Sequence, residues 1–251
     1  MLLLKYCISD EIRNPEKIKE IMYKANRSHM NFSETAKTKP HYGEEYFDWQ
    51  KNVGVFGGIV NVDKFKEFIQ PEHNVIDFGC GGGFLLSNLD CSGKKGVEIN
   101  PEARKQASGI GLDVTGNIDD IQDNWADIIV SNNALEHTLR PYDEISGLKS
   151  KLKPGGIAVF ILPCESLKMR FHEDDINQHL YSWSPGAIGN LFKAAGYEII
   201  ESKPWLHKWP IGYKSVYKIF GHRIFDIFCR IWGHVSKNWS QVRVIARRPK
   251  A

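Results

Sequence analysis

The stretch NVIDFGCGGGFLLSNL, residues 74–89, constrains the fold more than any other part of this 251-residue chain. A short apolar run ends on Gly79, turns through Gly81, Gly82 and Gly83, and resumes with apolar residues at helical spacing. That pattern predicts a buried strand, a tight turn and a helix. The alternation then continues. KKGVEIN reads as a second strand and PEARKQASGI as a helix with Pro101 in its first turn. LDVTGNI and ADIIVSNNAL read as strands three and four, YDEISGLKSKL as a helix and GIAVFILP as strand five. SPGAIGNLFKAAG predicts a helix capped by Ser184, entered through Pro185 and stopped at Gly196. YEIIESK and SQVRVIARR supply two late strands, and VDKFKEFI, ahead of the first strand, predicts an amphipathic helix. Strands alternating with helices call for a doubly wound α/β domain, its mainly parallel sheet covered on both faces.

Composition excludes several alternatives. Hydrophobic residues make up 42% and charged residues 25%, as in a chain with a true core. A net charge of +3, with no basic stripe and no RNA-binding module, argues against a nucleic-acid partner. Cys7, Cys80, Cys91, Cys164 and Cys229 are scattered, odd in number and form no CxxC pair. They predict a reducing, cytoplasmic setting and neither a disulfide framework nor a zinc site. The opening MLLLKYCISDE is too short for the apolar core of a signal peptide, and no stretch reaches the ~20 apolar residues of a membrane span.

The glycine turn poses a question of charge. Such turns usually receive phosphate on helix amides, yet Asp77 stands two residues ahead of the first glycine, where it would repel one. The dinucleotide fingerprint also fails, because counting G-x-G-x-x-G from Gly79 puts Phe84 at the sixth position. A ligand with a cationic head and no phosphate turns both objections into support.

VIDFGCGGG resembles the D-x-G-x-G-x-G motif of the class I S-adenosylmethionine-dependent methyltransferases, through Asp77, Gly79, Gly81 and Gly83 with Cys80 between. GVEIN resembles that family's second-strand acid motif, and Glu98 lies 19 residues after Gly79, close to the ~20 expected of a ribose-binding acid. GNIDDI resembles the adenine-side loop, with Asn117 where family members often carry Asp. ADIIVSNNALEH, LKPGG and HLYSWSPGAIGNLFKAAGYEI continue the likeness in order, over residues 62 to about 201 and the last strand. The resemblance implies a Rossmann-like seven-stranded mixed sheet with its last strand antiparallel. It also implies S-adenosyl-L-methionine as cosubstrate, held by Asp77, Gly79, Cys80, Gly81, Gly83, Glu98, Ile99, Asn117, Ile118 and Ser131. Residues 1–60 are expected to form an N-terminal helix and lid, in which Tyr42 and Tyr46, with Trp49 nearby, close over the donor or else pack beneath a helix. Residues 61–251 then form the methyltransferase domain.

The family reaction is an in-line displacement in which a neutral thioether leaves, so alignment and desolvation carry much of it. A base matters only where the acceptor must lose a proton. His137, directly after Glu136, is either that base or a packing element. His179 and Tyr181, on the loop after strand five, are either acceptor-facing or, with Trp183, anchors of the loop. His172 and His179 with acids between them read as a solvated loop, so no metal is expected. Residues 203–240 form an aromatic and basic insertion. Val216, Ile219, Phe220, Ile224, Ile227, Phe228 and Ile231 recur at helical spacing, with Lys218, His222, Asp226 and Arg230 on another face. This helix covers the active site, makes a dimer contact, or lies on a membrane surface through 214–237; the sequence leaves the oligomeric state open. The expected reaction is methyl transfer to a small-molecule acceptor, with a sugar hydroxyl of cell-surface polysaccharide synthesis favoured over a protein or lipid-linked acceptor. A non-catalytic binding protein of the same fold and an NAD-dependent oxidoreductase are the rivals.

Overall fold

The computed structural model describes residues 44–250 apart from positions 174, 176, 237 and 238. Its strands are β1 (Asn74–Phe78), β2 (Gly93–Val97), β3 (Asp113–Thr115), β4 (Ala126–Asn132), β5 (Leu152–Glu165), β6 (Glu198–Trp205) and β7 (Trp239–Arg247). They form one sheet in the order β3-β2-β1-β4-β5-β7-β6. β1 to β5 pair in parallel, while β7 runs antiparallel to both β5 and β6, as the resemblance implied. The helices are α1 (Glu44–Val60), α2 (Phe84–Asn88), α3 (Pro101–Gly109), α4 (Pro141–Lys151), α5 (Pro185–Ala194) and α6 (Tyr213–Val235).

Alternate residues of the central strands feed two cores, one on each face. Ile76, Phe78, Ile129, Phe160 and Leu162 point to the side covered by α4 and α5, where Ile145, Leu148, Ile188 and Phe192 meet them. Val75, Ile128, Val130, Val159 and Ile161 point to the other side, against Leu86 of α2 and Phe65 and Ile69. Burial on both faces is what makes these strands read as continuous apolar runs. Local chemistry sets the helix starts. Asn100 Oδ1 accepts from the Glu102 and Ala103 amides ahead of α3, and Ser184 Oγ accepts from the Ala187 amide ahead of α5, each with proline at the first helical position.

Three expectations change. VDKFKEFI forms two 3₁₀ turns, Asn61–Lys64 and Lys66–Phe68, broken at Phe65. Neighbouring Lys64 and Phe65 are both buried but in different surroundings, Phe65 in the core beneath the sheet and Lys64 against Asn132 and Gln241. LKPGG is absorbed into β5 as an irregularity, since Ala126 pairs with Leu152 and Ile128 with Ile157. The insertion holds α6, but the helix breaks at Gly221 (φ 71°, ψ 179°). The buried face beyond the break is Phe225, Cys229 and Gly233, and the polar residues His222 and Asp226 turn inward to Asp63 and His207. Ile219, Phe220, Ile224, Ile227, Phe228 and Ile231, the expected apolar face, remain exposed.

α1 joins this frame through two contacts. Phe56 sits among Trp209, Tyr213, Tyr217 and Phe225 with ring centroids 5.0–5.6 Å apart. Its neighbour Gly58 meets the start of α2, where an added Cβ would stand 2.4 Å from the Phe84 carbonyl oxygen. Backbone cannot give way there as a side chain would, so Gly58→Ala is expected to destabilise the fold by about 1–3 kcal/mol. Gly186→Ala in α5 meets nothing within 4 Å and should leave stability unchanged or raise it by up to about 1 kcal/mol. Urea unfolding of both variants checks the contrast.

Candidate active site

The glycine turn sits at the carboxyl edge of β1, where open α/β sheets bind ligands. The Val97 carbonyl accepts from the Gly79 amide at 2.8 Å and the Cys80 amide at 3.1 Å, bending the chain off the strand. Gly79 has φ 73°, and a Cβ there would lie 2.2 Å from Ala134 Cβ. Both the conformation and the space exclude any other residue. Glu98, just past the end of β2, braces the turn from the far side. One carboxylate oxygen accepts from the Gly81 amide and the other from the Asn100 amide, each at 2.8 Å. Arg104 donates to the Glu98 and Ile99 carbonyls. Burial raises the Glu98 pKa, against the lowering effect of these amides and Arg104. Each oxygen keeps a further acceptor position, which suits a pair of ribose hydroxyls.

Asp77 lies under the turn, 2% exposed. Burial first, and then the Glu98 charge, push its carboxyl up to about 7. A cation is the group that would relieve this. Asp77, Gly79, Cys80 and Gly81 border a cavity of about 590 Å³, within the range of small-molecule sites. Gly54, Gly57 and Gly58 of α1 form one wall, and Trp209 and Tyr213 close it beside α6.

Away from Asp77 the cavity turns basic and amide-lined. The buried Lys64 ammonium donates to Asn132 Oδ1 at 2.9 Å and Gln241 Oε1 at 3.3 Å, and Gln241 Nε2 donates to Asn133 Oδ1 at 2.9 Å. Burial lowers the Lys64 pKa to about 7. His207, held by Asp226 at 3.1 Å, is lowered to about 4 by burial and by the Lys64 charge. Sequence reasoning missed Lys64, Asn132, Gln241 and His207. A lysine inside an amphipathic pattern reads as solvent-facing, and the other three come from remote segments.

His137 and His179 both line the cavity, with ring centroids 5.0 Å apart. Glu136 lies behind them, fully buried, its carboxyl pushed up to about 8 by burial and by the Glu165 charge. The Glu136 carbonyl accepts from the Leu180 amide at 2.9 Å and the Tyr181 amide at 3.3 Å, which ties the His179 loop to the end of β4. Tyr181 itself does not line the cavity: its hydroxyl donates to the Leu139 carbonyl and its ring stacks on Trp183.

The remaining expected residues lie around the rim or in its supports. Ile99 is 61% exposed beside Glu98, open to a ring laid against it. Asn117 caps the Ile118–Asp120 turn by accepting from the Asp119 amide, and Ile118 is buried in the core. The buried Ser131 hydroxyl donates to the Phe78 carbonyl, tying β4 to the end of β1. Gly83 opens α2 with φ 77°. Tyr42 lies outside the described residues, as do the side chains of Tyr46 and Trp49.

Comparison with known proteins agrees with this geometry. Residues 56–202 match the family described as Methyltransferase domain. The ribosomal protein L11 methyltransferase of Burkholderia mallei is 37% identical over 99 residues, which are 36% of this chain and 32% of that protein. The match thus spans about a third of that relative's length. Among solved structures, an S-adenosylmethionine-dependent methyltransferase of Archaeoglobus fulgidus superposes with a TM-score of 0.59 at 16% identity, covering 80% of this chain and 99% of the other. Another, from Thermotoga maritima, gives 0.58 at 15% identity, covering 83% and 97%.

The Asp77 environment makes a directional prediction. A cationic ligand pairs with the ionised carboxylate, so binding below pH 7 must first release the proton. Affinity for S-adenosylmethionine should therefore rise with pH, about tenfold between pH 6 and pH 8 for a group at about 7. Calorimetry in buffers of different ionisation enthalpy should record the released proton at pH 6. Asp77→Asn should bind more weakly and lose the slope.

Proposed function

Since the chain belongs to the class I S-adenosylmethionine-dependent methyltransferases, we propose that it carries a methyl group from that cosubstrate to a hydroxyl of a small, oxygen-rich acceptor. A sugar hydroxyl of cell-surface polysaccharide synthesis is the reading we favour. The observation that carries it is the far end of the cavity, where Lys64, Asn132 and Gln241 offer hydrogen-bonding groups beside the rings of Trp209 and Tyr213. Amides and an amine suit a hydroxyl-rich ligand, and aromatic faces suit the apolar faces of a sugar ring.

In this reading Asp77 holds the donor's ammonium, Glu98 its ribose hydroxyls and the amides of the glycine turn its backbone-side edge, with Ile99, Asn117 and Ile118 toward the adenine. α1 acts as the lid segment, since Gly54 and Gly58 let it lie on Phe84 directly after the turn and Gly57 joins them in lining the cavity. Attack by a hydroxyl requires removal of its proton. Lys64 is matched to that task, because burial leaves a substantial fraction of neutral amine near pH 7. His137 and His179 are the alternative proton acceptors within the same cavity.

Calorimetry with S-adenosylmethionine and S-adenosylhomocysteine tests the donor. Uptake by the native chain, weakened more than tenfold in Glu98→Ala, is expected, since a buried pair of amide-oriented acceptors would be lost. No uptake of either compound by the native chain would sink the reading. Release of S-adenosylhomocysteine with a panel of sugars and glycans tests the acceptor. Lys64→Met should then abolish the rise in turnover through pH 7 at saturating donor without weakening donor binding.

A lipid-linked acceptor is the second reading, favoured by the exposed face of α6. Ile219 and Ile227 are 70% and 55% exposed, and Lys214, Lys218 and Arg223 accompany them. Among the described residues no helix is long and apolar enough to cross a membrane, so contact would be peripheral. The chain should then float with anionic vesicles, and Ile219→Glu/Ile227→Glu should stay in solution; equal flotation of both would remove this reading.

A further inference from the structure

We propose that Glu136, His137 and His179 form a binding site for a first-row divalent cation, with zinc as its simplest occupant, at the boundary between donor and acceptor. The three offer one carboxylate oxygen and two imidazole nitrogens within 4.8 Å of one another. Glu136 Oε1 is the shared point, 4.0 Å from His137 Nε2 and 3.9 Å from His179 Nε2. Two imidazoles and a carboxylate, with positions left open, make a ligand set for zinc or iron(II) rather than for calcium or magnesium.

A second observation points to a ligand independently of the cluster. Glu136 is 0% exposed, and neither of its carboxylate oxygens meets a hydrogen-bond donor among the described residues. A buried, unpartnered carboxylate is costly and calls for a cation or a donor. Lys64 does not serve: its ammonium donates to Asn132 and Gln241, and no hydrogen bond from it reaches Glu136.

A third observation fixes the imidazole. His179 Nδ1 lies 2.6 Å from Glu165 Oε1. An ionised carboxylate only accepts, so Nδ1 carries the proton and Nε2 presents its lone pair to Glu136. Carboxylate–histidine pairs of this kind orient metal-binding imidazoles. Nε2 and Oε1 stand 3.9 Å apart, too far for a hydrogen bond between them. Bonds of about 2.0–2.2 Å to a central ion would need each imidazole nitrogen to close on Oε1 by about half an ångström, and the two nitrogens, within 4.8 Å of each other, to close by up to about 1.4 Å, through side-chain torsions.

The loop carrying His179 is already tied to Glu136 through its backbone, so the ligands are held together before the ion arrives. The open positions face the cavity that both histidines line. An acceptor with a hydroxyl or carboxylate oxygen would complete them, leaving Lys64 to take the proton. The cation itself depends on the three side chains and not on the donor's identity.

Zinc and cobalt(II) chloride titrated into chelator-stripped, full-length protein test the site. The native chain should take up one equivalent, gain thermal stability from it and give cobalt a visible absorption band. Glu136→Gln should weaken uptake at least about 100-fold, and Glu165→Gln about 10- to 100-fold by releasing the imidazole. His172→Gln, a change at an exposed histidine outside the cluster, should bind as the native chain does. Should Glu136→Gln fail to fold, His179→Gln, altered on a loop, decides by the same readouts. No stoichiometric uptake by the native chain, or uptake unchanged in both Glu136→Gln and His179→Gln, overturns the proposal. A chain that takes up zinc but neither S-adenosylmethionine nor S-adenosylhomocysteine overturns the functional reading and leaves the metal site standing.

Discussion

Two carboxylates placed where the sheet's parallel strands end set the terms for the rest of this molecule. Glu98 is anchored by two backbone amides and fixes the path of the glycine turn. Asp77 lies beneath that turn, and its shift from 3.8 to about 7 corresponds to roughly 4 kcal/mol against its charged form. A folded chain does not keep such a charge near its edge for packing, since a leucine or an asparagine would cost less. The arrangement becomes favourable once a cation occupies the cavity, and a dinucleotide's pyrophosphate would make it worse. The same two side chains thus hold the turn open and select the charge of what enters it.

The other walls of the cavity follow from how closely backbone can approach. Gly54 and Gly58 let α1 lie against Phe84 at the start of α2, Gly57 meets Trp209, and the ring of Phe56 packs α1 against Trp209 and three rings of α6. α6 in turn commits some of its polar side chains inward. His222 reaches Asp63, and Asp226 holds both His207 and Arg230. Lys214, Lys218 and Arg223 stay exposed beside the outward apolar residues, so the outer face of the helix is both apolar and basic. The cover of the cavity and the exposed apolar strip are consequences of one helix orientation.

The parts of this structure legible in the sequence are those whose determinants are close together along the chain. Asp77, Gly79, Gly81 and Glu98 fall within 22 residues and on successive strand ends, so the family resemblance could be read from them directly. The sheet and its antiparallel last strand followed from alternation and resemblance. The basic end of the cavity was not legible, because Lys64, Asn132, His207 and Gln241 come to line it only through the fold. The apolar residues of α6 were legible from their helical spacing, but the break at Gly221 and the exposure of that face were not, since both depend on what the helix packs against. Tyr181 shows the limit of reasoning from loop position, since its hydroxyl is engaged by Leu139. His179 was weighed against His172 by proximity in sequence, whereas its neighbours in space are Glu136 and His137, more than 40 positions away.

The charges along the cavity form a consistent sequence once a methyl transfer is considered. In the proposed reaction the donor's ammonium would lie near Asp77 and its sulfonium further in, so a fully charged Lys64 would repel it. Burial already holds the amine at about 7, and a bound sulfonium would favour its neutral form further, readying it as a base when the donor is in place. A divalent ion at Glu136, His137 and His179 would add positive charge at the same end. The Glu136 carboxylate and an ionised acceptor oxygen would together balance that ion, while the proton taken by Lys64 would leave a single positive charge on its ammonium. Transfer then removes the sulfonium charge and the acceptor's negative charge in one step, which a low-dielectric cavity favours because separated charge is annihilated there. An acidic donor end and a basic acceptor end are therefore the polarity that this reaction needs. An acceptor bearing a fixed positive charge would meet Lys64 and the cation with nothing to offset it, which places anionic or neutral oxygen acceptors ahead of amines for this site.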